Sequence, residues 1–359
     1  MQKHKRILIC PLDWGLGHAT RCIPIIRLLL KKNAEVLVAA DAGPLALLKK
    51  EFPALTFIPL GGYNITYPKI GSMNFKMLLS IPKILTGIKE EHSKLEQIIN
   101  DYAIDIVISD NRYGCWNKKV KSIFITHQLM IKAPFGERFL HTKIVNYISH
   151  YDECWIPDVI EENNLSGDLS HTYELPKNIF FVGKLSRFHL SPDSAINSNN
   201  SLRYDVMAII SGPEPQRSIF EKLILKQLKG SNLKALVVLG KAASETKTET
   251  IDKITLTPHL QSQEMQEAML QSKIILARSG YSTIMDLATL NKKAIFIPTP
   301  GQTEQEYLAG LVMKKGVAFS QSQNKFDLPS ALKMSENYSG FKTIENGDQL
   351  EKRIDLLVS

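Results

Sequence analysis

The amino-acid sequence predicts an α/β protein of two doubly wound parallel sheets, each covered by helices on both faces. Short apolar runs without polar alternation recur along the chain, separated by longer amphipathic segments. That is the pattern of strands buried on both faces and joined by crossover helices. A Ser- and Asn-rich stretch, Ser191–Ser201 (SPDSAINSNNS), interrupts it, has almost nothing to bury and reads as a linker or exposed loop. The alternation then restarts. Finally, 359 residues with 44% hydrophobic content are more than one ordinary core organises.

In order, Ile7–Cys10 is expected as a strand, because Asp13, Trp14 and Gly15 end the apolar run too early for a signal peptide. Ala19–Lys32 is a helix, Glu35–Ala40 a strand, and Pro44–Lys50 a short helix with Pro44 in its first turn. Leu55–Pro59 is a strand. Met77–Asn100 is one long helix or two, kinked or divided at Pro82. Ile104–Ser109, Ser122–Thr126, Glu153–Ile156 and Ile179–Val182 complete the first set of strands. In the second half Asp205–Ile210, Leu233–Leu239, Ile274–Ala277, Ala294–Ile297 and Val317–Phe319 are strands. Gln216–Leu228, Gln261–Gln271, Ser282–Leu290 and Thr303–Lys315 are the helices among them, and two more, near Pro329–Ser335 and Gly347–Val358, close the chain. The expected domains are 1–188 and 204–345, with a linker over 189–203 and a C-terminal helix over 346–359 crossing back to the first domain.

Charged residues make up 22% of the chain, an ordinary share for a folded protein. The formal net charge is +8. Through Leu190 there are 24 Lys and Arg against 18 Asp and Glu, so the excess lies mainly in the first half. It either steers anionic ligands or is a solvated Lys-rich surface. No aromatic-interleaved basic stripe accompanies it, so nucleic acid is not an expected partner. Cys10, Cys22, Cys115 and Cys154 are scattered, without metal-ligand spacing or a disulfide framework, as suits a reducing cytoplasm. No run approaches the roughly 18 apolar residues of a membrane span.

Open parallel sheets bind ligands beyond the carboxyl ends of their strands, so the loops there hold the candidates. The first strand runs into Asp13-Trp-Gly-Leu-Gly-His-Ala-Thr-Arg21 and then a helix. Gly15 and Gly17 allow a tight turn and a close backbone approach to a ligand, and the helix N-terminus behind them favours negative charge. His18 is placed to take a proton from a hydroxyl, to donate to a sugar or phosphate, or to cap its own loop. The strand Ile104–Ser109 ends in Asp110-Asn-Arg-Tyr-Gly114. There Asp110 is placed to orient His18 and Arg112 to bind an anion, while Asn111 is equally suited to an Asx-turn. His127, after Ser122–Thr126, is a weaker candidate for the same region.

In the second half, the apolar strand Ile274–Ala277 runs into Arg278-Ser279-Gly280 and a helix. Gly280 and that helix start present N–H groups to an anion. Arg278 either adds charge or holds the loop, and Asp286, about a turn into the helix, is placed to accept both hydroxyls of a ribose. The loop Pro298-Thr-Pro-Gly-Gln-Thr-Glu-Gln-Glu-Tyr307 offers acids and amides suited to sugar hydroxyls. Thr303 with Glu306 also has the spacing of a capping box.

ARSGYSTIMDLA (Ala277–Ala288), GQTEQEY (Gly301–Tyr307) and GLGHATR (Gly15–Arg21) together resemble glycosyltransferase family 28. The resemblance spans most of the chain and is strongest over Leu260–Val317. It implies a GT-B fold, two Rossmann-like domains facing across a cleft, with a UDP-sugar in the second. It implies that Asp286 is the ribose-binding acid, with Asp in place of the family's Glu. Gln305 and Glu306 match the pair that reads the donor sugar, with Glu in place of the second Gln. Arg187 matches an interdomain arginine near the diphosphate, and His18 the histidine at the acceptor face. The chain departs from the family at Ser211-Gly-Pro-Glu-Pro-Gln-Arg217, where a Gly-rich turn is usual. Pro213 and Pro215 have no N–H for a phosphate, which leaves Ser211, Gly212, Gln216 and Arg217 there.

The sequence has no Asp-x-Asp pair, so no metal and no cofactor beyond the nucleotide-sugar donor is expected. The expected reaction is one inverting displacement by an acceptor hydroxyl, with His18 as base and Asp110 or Asp13 as its orienter or substitute. Met73–Ile98, with Phe75, Met77, Leu78, Leu79, Ile81, Ile84 and Leu85 among lysines, is either a helix packed on the sheet or a surface for an anionic membrane bearing a lipid-linked acceptor. The protein is then cytoplasmic, on the inner face of the membrane. The alternatives are a non-hydrolysing UDP-sugar 2-epimerase and a non-catalytic nucleotide-sugar-binding protein.

Overall fold

The computed structural model describes residues 4–62, 73–132, 136–172, 174–189, 202–242, 247–342 and 347–359, without the side chains of 73–81 and 139. Residues 4–62 and 74–185, together with the helix Gln349–Val358, form one unit, and 186–342 form a second. The linker expected at Ser191–Ser201 lies outside the described residues, as do the side chains of Phe75, Met77, Leu78, Leu79 and Ile81.

The first unit is built on a sheet of seven strands in the order β3-β2-β1-β4-β5-β6-β7. These are β1 (Arg6–Pro11), β2 (Glu35–Ala40), β3 (Thr56–Pro59), β4 (Ile106–Asp110), β5 (Lys121–Ile125), β6 (Glu153–Ile156) and β7 (Ile179–Phe181). All pair in parallel. Ile7, Leu8, Ile9 and Cys10 have no exposed surface, which explains why β1 lacks polar alternation. The chain builds outward from β1 to β3 and then returns to β4 on the other side, in a register that sets Pro11 beside Asp110. This reversal opens a crevice at the carboxyl ends of β1 and β4. The helix Gly17–Lys31 starts there, directly after β1.

Helix Met73–Tyr102 runs through Pro82 as one helix, the first of the two expected alternatives. Among the described residues, helix Glu137–Ile148, the single turn Asp168–His171 and the 3-10 turn Gln323–Lys325 were not expected. Helix Gln349–Val358 docks on the first unit, where Lys32 Nζ lies 2.6 Å from Asp355 and 3.2 Å from Glu351. The Arg353 guanidinium stacks 3.8 Å over the Phe180 ring.

The second unit repeats the plan with strands β8 (Tyr204–Ile209), β9 (Ala235–Val238), β10 (Glu249–Ile251), β11 (Ile254–Thr257), β12 (Ser272–Ala277), β13 (Ala294–Phe296) and β14 (Phe319–Ser320). Their order is β10-β11-β9-β8-β12-β13-β14. The reversal falls between β8 and β12. Val206, Ala208, Ile210, Phe220, Ile224, Val237, Leu276 and Ile295 fill one face of this sheet. Strands β10 and β11 were not foreseen. They form an antiparallel hairpin about Asp252, whose φ is 53°. All of β10 is exposed at the sheet edge, so it carries no apolar signal.

Candidate functional site

In the first unit, the crevice between β1 and β4 collects a buried polar cluster. His18 lies in the first turn of helix Gly17–Lys31, and Arg21 lies one turn further on the same face. Asp110 ends β4 and is fully buried. Its Oδ1 lies 2.8 Å from His18 Nδ1. Arg21 Nε and Nη2 each donate to one oxygen of the same carboxylate. Arg21 Nη1 lies 3.0 Å from Nδ1 of His127, which follows β5. Burial alone would raise the Asp110 carboxyl; Arg21 and then His18 more than reverse this and hold it at about 2. Burial pushes the His18 imidazole below its ordinary value, Asp110 works against that, and Arg21 adds to it.

Asp110, not Asp13, is thus the carboxylate that meets His18. Asp13 lies against Gly62, where a Cβ would overlap its carboxylate, and its Oδ1 is buried without a hydrogen-bond partner among the described residues. Gly15 turns the loop with φ 91° and donates to Asp13 O. Asn111 has φ 59°. Gly17 begins the helix.

Arg112 corrects the anion-binding expectation. It is fully buried, with Nε 2.5 Å from Glu91 Oε1 and Nη1 3.1 Å from Leu60 O, and Nη2 donates to Gly61 O. Glu91 Oε2 accepts from Gly114 N at 2.8 Å. The guanidinium therefore ties the loop after β3 to helix Met73–Tyr102. Arg21 was the residue missed. The available signal was the spacing of His18 and Arg21, three apart on one helix.

In the second unit, Asp286 is buried in helix Tyr281–Leu290. Its Oδ1 accepts from Ser186 Oγ at 2.7 Å, and its Oδ2 lies 3.5 Å from Arg187 Nε. Burial raises the Asp286 carboxyl, while Arg187 pulls it back. Gly280 caps this helix without a side-chain bond, and the space where its Cβ would stand is open. Ser279 Oγ donates to Gln305 O at 2.7 Å, so the loop after β12 is fastened to helix Thr303–Lys314.

Arg278 takes the second of its two expected roles. It is buried against the Phe220 ring and donates to Ile297 O at 2.8 Å, Pro298 O at 3.1 Å and Gln323 Oε1 at 2.5 Å. Arg217 is likewise engaged, with Glu214 at 2.7 Å and Glu221 at 2.6 Å. The loop before it has Gly212 at φ 111°, next to Ser211, and Gln216 Oε1 is buried without a partner among the described residues.

The Pro298 loop is held by the residues expected to read a sugar. Gln305 Oε1 accepts from Thr299 N at 2.8 Å, and Glu306 Oε1 from Gly301 N at 2.9 Å. The capping box expected of Thr303 and Glu306 is not formed. The N-cap is Gln302, whose side chain accepts from Gln305 N at 2.9 Å.

Residues 216–342 match the glycosyltransferase family 28 C-terminal domain. An uncharacterized glycosyltransferase of Methanosarcina acetivorans is 21% identical over 333 residues, covering 87% of this chain and 84% of its own length. The UDP-N-acetylglucosamine–N-acetylmuramyl-(pentapeptide) pyrophosphoryl-undecaprenol N-acetylglucosamine transferase of Listeria monocytogenes is 21% identical over 319 residues, covering 84% and 82%. Among solved structures, MurG of Acinetobacter baumannii aligns with a TM-score of 0.54 at 12% identity over 99% of each chain. The spinosyn rhamnosyltransferase SpnG aligns with a TM-score of 0.63 at 11% identity, over 98% of this chain and 95% of its own. The chain is a glycosyltransferase of the GT-B fold whose second unit carries the C-terminal domain of glycosyltransferase family 28.

Proposed function

We propose that the protein transfers a hexose or N-acetylhexosamine from a UDP-sugar to a hydroxyl acceptor, without a metal ion and with inversion at the anomeric carbon. The observation that carries the catalytic half is His18 Nδ1 at 2.8 Å from Asp110 Oδ1. With Nδ1–H donated to Asp110, the lone pair is on Nε2, where it can take the acceptor's proton. The acceptor oxygen attacks the anomeric carbon, the bond from that carbon to the diphosphate oxygen breaks, and UDP leaves with the electron pair. Asp286 binds the ribose hydroxyls, and Gln305 and Glu306 meet the sugar. The N-terminus of helix Tyr281–Leu290 and Arg187 offset the charge on the leaving diphosphate. With Arg278 and Arg217 engaged elsewhere, that role falls to Arg187, the helix start and the Ser211–Gly212 turn.

A lipid-linked or envelope glycan is the acceptor class we favour, reached from the cytoplasmic face of the membrane through helix Met73–Tyr102. Among the described residues no helix is long and apolar enough to cross a membrane. Liposome binding that weakens with salt would support this contact, and no binding to anionic liposomes would remove it.

The central test is a panel of UDP-sugars read by thermal stability and UDP release, with Asp286→Ala and His18→Ala beside the wild type. A donor at 100 times its Kd adds about 2.7 kcal/mol of stability. A UDP-sugar that stabilises the wild type and not Asp286→Ala supports the donor site. Stabilisation by a different nucleotide-sugar alone removes the UDP assignment. Transfer by His18→Ala at the wild-type rate removes the base.

A further inference from the structure

Arg21 is the hub of the first unit's buried cluster, and its chemistry constrains the two histidines around it. A guanidinium offers donors only. Nη1 lies 3.0 Å from His127 Nδ1, where it can donate to that nitrogen's lone pair. Nη2 lies 2.9 Å from His18 Nδ1, and Asp110 Oδ1 lies 2.8 Å from the same nitrogen. One ring nitrogen thus stands between a donor and an acceptor. When it carries a proton it bonds Asp110 and the lone pair is on Nε2. When it is bare it accepts from Arg21 and the proton is on Nε2.

The groups that face His18 are Asp110 from β4, Arg21 from its own helix and His127 from beyond β5. Cys22 approaches the other side of the carboxylate, with Sγ 3.8 Å from Asp110 Oδ2. Asp110 therefore has two cationic partners available, Arg21 and a protonated His18. Paired with Arg21 it is already neutralised and has little need of an imidazolium. Without Arg21 it would be a buried carboxylate that draws His18 into its charged form as counter-ion.

We propose that Arg21 is a positioning residue for transfer: by clamping and neutralising Asp110 it keeps the His18 ring in its neutral form, and in the tautomer whose Nδ1–H bonds Asp110 the Nε2 lone pair is free to accept the acceptor's proton at neutral pH. This rests on the reading of His18 as the base. In the step itself the proton passes from the acceptor hydroxyl to Nε2 while Nδ1–H stays on Asp110. It returns to solvent once UDP has left.

The test is the titration of the histidine ring C–H resonances, assigned with His18→Ala, in the full-length wild type, Arg21→Met and Arg21→Lys. The His18 resonance in Arg21→Met is expected to titrate at higher pH than in the wild type. Its kcat/KM is expected to fall several-fold near pH 6, to approach a loss of about tenfold at lower pH, and to converge on the wild-type value near pH 9, as a base displaced by about one pH unit would behave. Arg21→Lys keeps the charge without the fork and is expected between the two, which serves also if Arg21→Met does not fold. An unmoved His18 titration, or an activity loss equal at every pH, overturns the proposal. If His18→Ala transfers at the wild-type rate, the base reading fails instead, and the ring titration still measures what Arg21 does to His18.

Discussion

Replacing Glu91 by glutamine tests whether Arg112 belongs to the framework or to a ligand site. Both partners are almost wholly buried, and Glu91 accepts from Arg112 Nε at 2.5 Å and from Gly114 N at 2.8 Å. The amide would keep the shape but has one acceptor oxygen, so one of those donors would face an NH2 group. The guanidinium would also lose the carboxylate charge, the carbonyls of Leu60 and Gly61 remaining. Breaking a buried pair by removing one partner costs about 3–5 kcal/mol. At a urea slope of about 2 kcal/mol per molar, a loss near 4 kcal/mol lowers the midpoint by about 2 M. The assay can be confined to the first unit, because the three tryptophans, Trp14, Trp116 and Trp155, all lie in it. Urea unfolding followed by tryptophan fluorescence therefore reads the correct transition. The double variant Glu91→Leu/Arg112→Met, which removes both charges, should recover only the part of the loss due to the unpaired charge, because Gly114 N and the carbonyls of Leu60 and Gly61 lose their partners. A Glu91→Gln midpoint within about 0.3 M of wild type, together with a raised KM for donor or acceptor, would refute the argument and return Arg112 to ligand binding.

The remaining predictions concern Asp110 and Arg278. The folded-state pKa of Asp110 is depressed to about 2, so its contribution is present above the ordinary carboxylate value of 3.8 and is lost as pH falls through about 2. It is of the order of 2 kcal/mol, and Asp110→Asn should remove that part of the acid slope of the urea midpoint between about pH 4 and pH 2. At neutral pH the same variant should cost about 3–5 kcal/mol, because Arg21 becomes a buried cation without its carboxylate. A neutral-pH midpoint equal to wild type would contradict that. Arg278→Lys should destabilise the second unit by about 2–3 kcal/mol, since an ammonium cannot span Ile297 O, Pro298 O and Gln323 while lying on Phe220. Calorimetry measures it, and unchanged melting with lost UDP affinity would make Arg278 a ligand cation after all.

What the sequence disclosed follows what burial imprints on it. β1, β4 and β12 are buried on both faces, and their apolar runs stand out. The hairpin β10–β11 was silent because its edge strand is wholly exposed. Helix Glu137–Ile148 was legible in principle, since Leu140, Ile144 and Ile148 stand four apart as on one face of a helix. Pro82 left two alternatives open, one helix or two, because a proline raises the cost of a helix without by itself ending it; the helix is one. In the site, the approach of Asp110 to His18 was legible because Asp110 ends β4 and His18 opens the helix that follows β1, and the two strands are neighbours. The bond from Ser186 to Asp286 was not, because the residues are a hundred positions apart and a serine in a loop carries no periodic signal.

The arginines were the least legible residues, and the two sheets show why. β4 lies next to β1 and β12 next to β8, each the strand to which the chain returns at the reversal. Arg112 and Arg278 follow these two strands closely, where a cation invites an anionic ligand. Both are instead turned inward onto carbonyl oxygens of neighbouring loops, Leu60 and Gly61 in one unit, Ile297 and Pro298 in the other. Loops at a reversal must hold irregular backbone beside a buried sheet, and their carbonyls need donors that no strand supplies. A guanidinium has five N–H groups in a rigid fork and can satisfy several at once. The same chemistry that suits arginine to phosphate therefore suits it to fixing the loops around a phosphate site. Residue type and position cannot separate the two uses; the partners that satisfy the fork can. On that criterion Arg21 differs from both: its fork closes on a carboxylate and a histidine ring that themselves stand beside His18, so a change in it reaches the imidazole proposed to accept the proton.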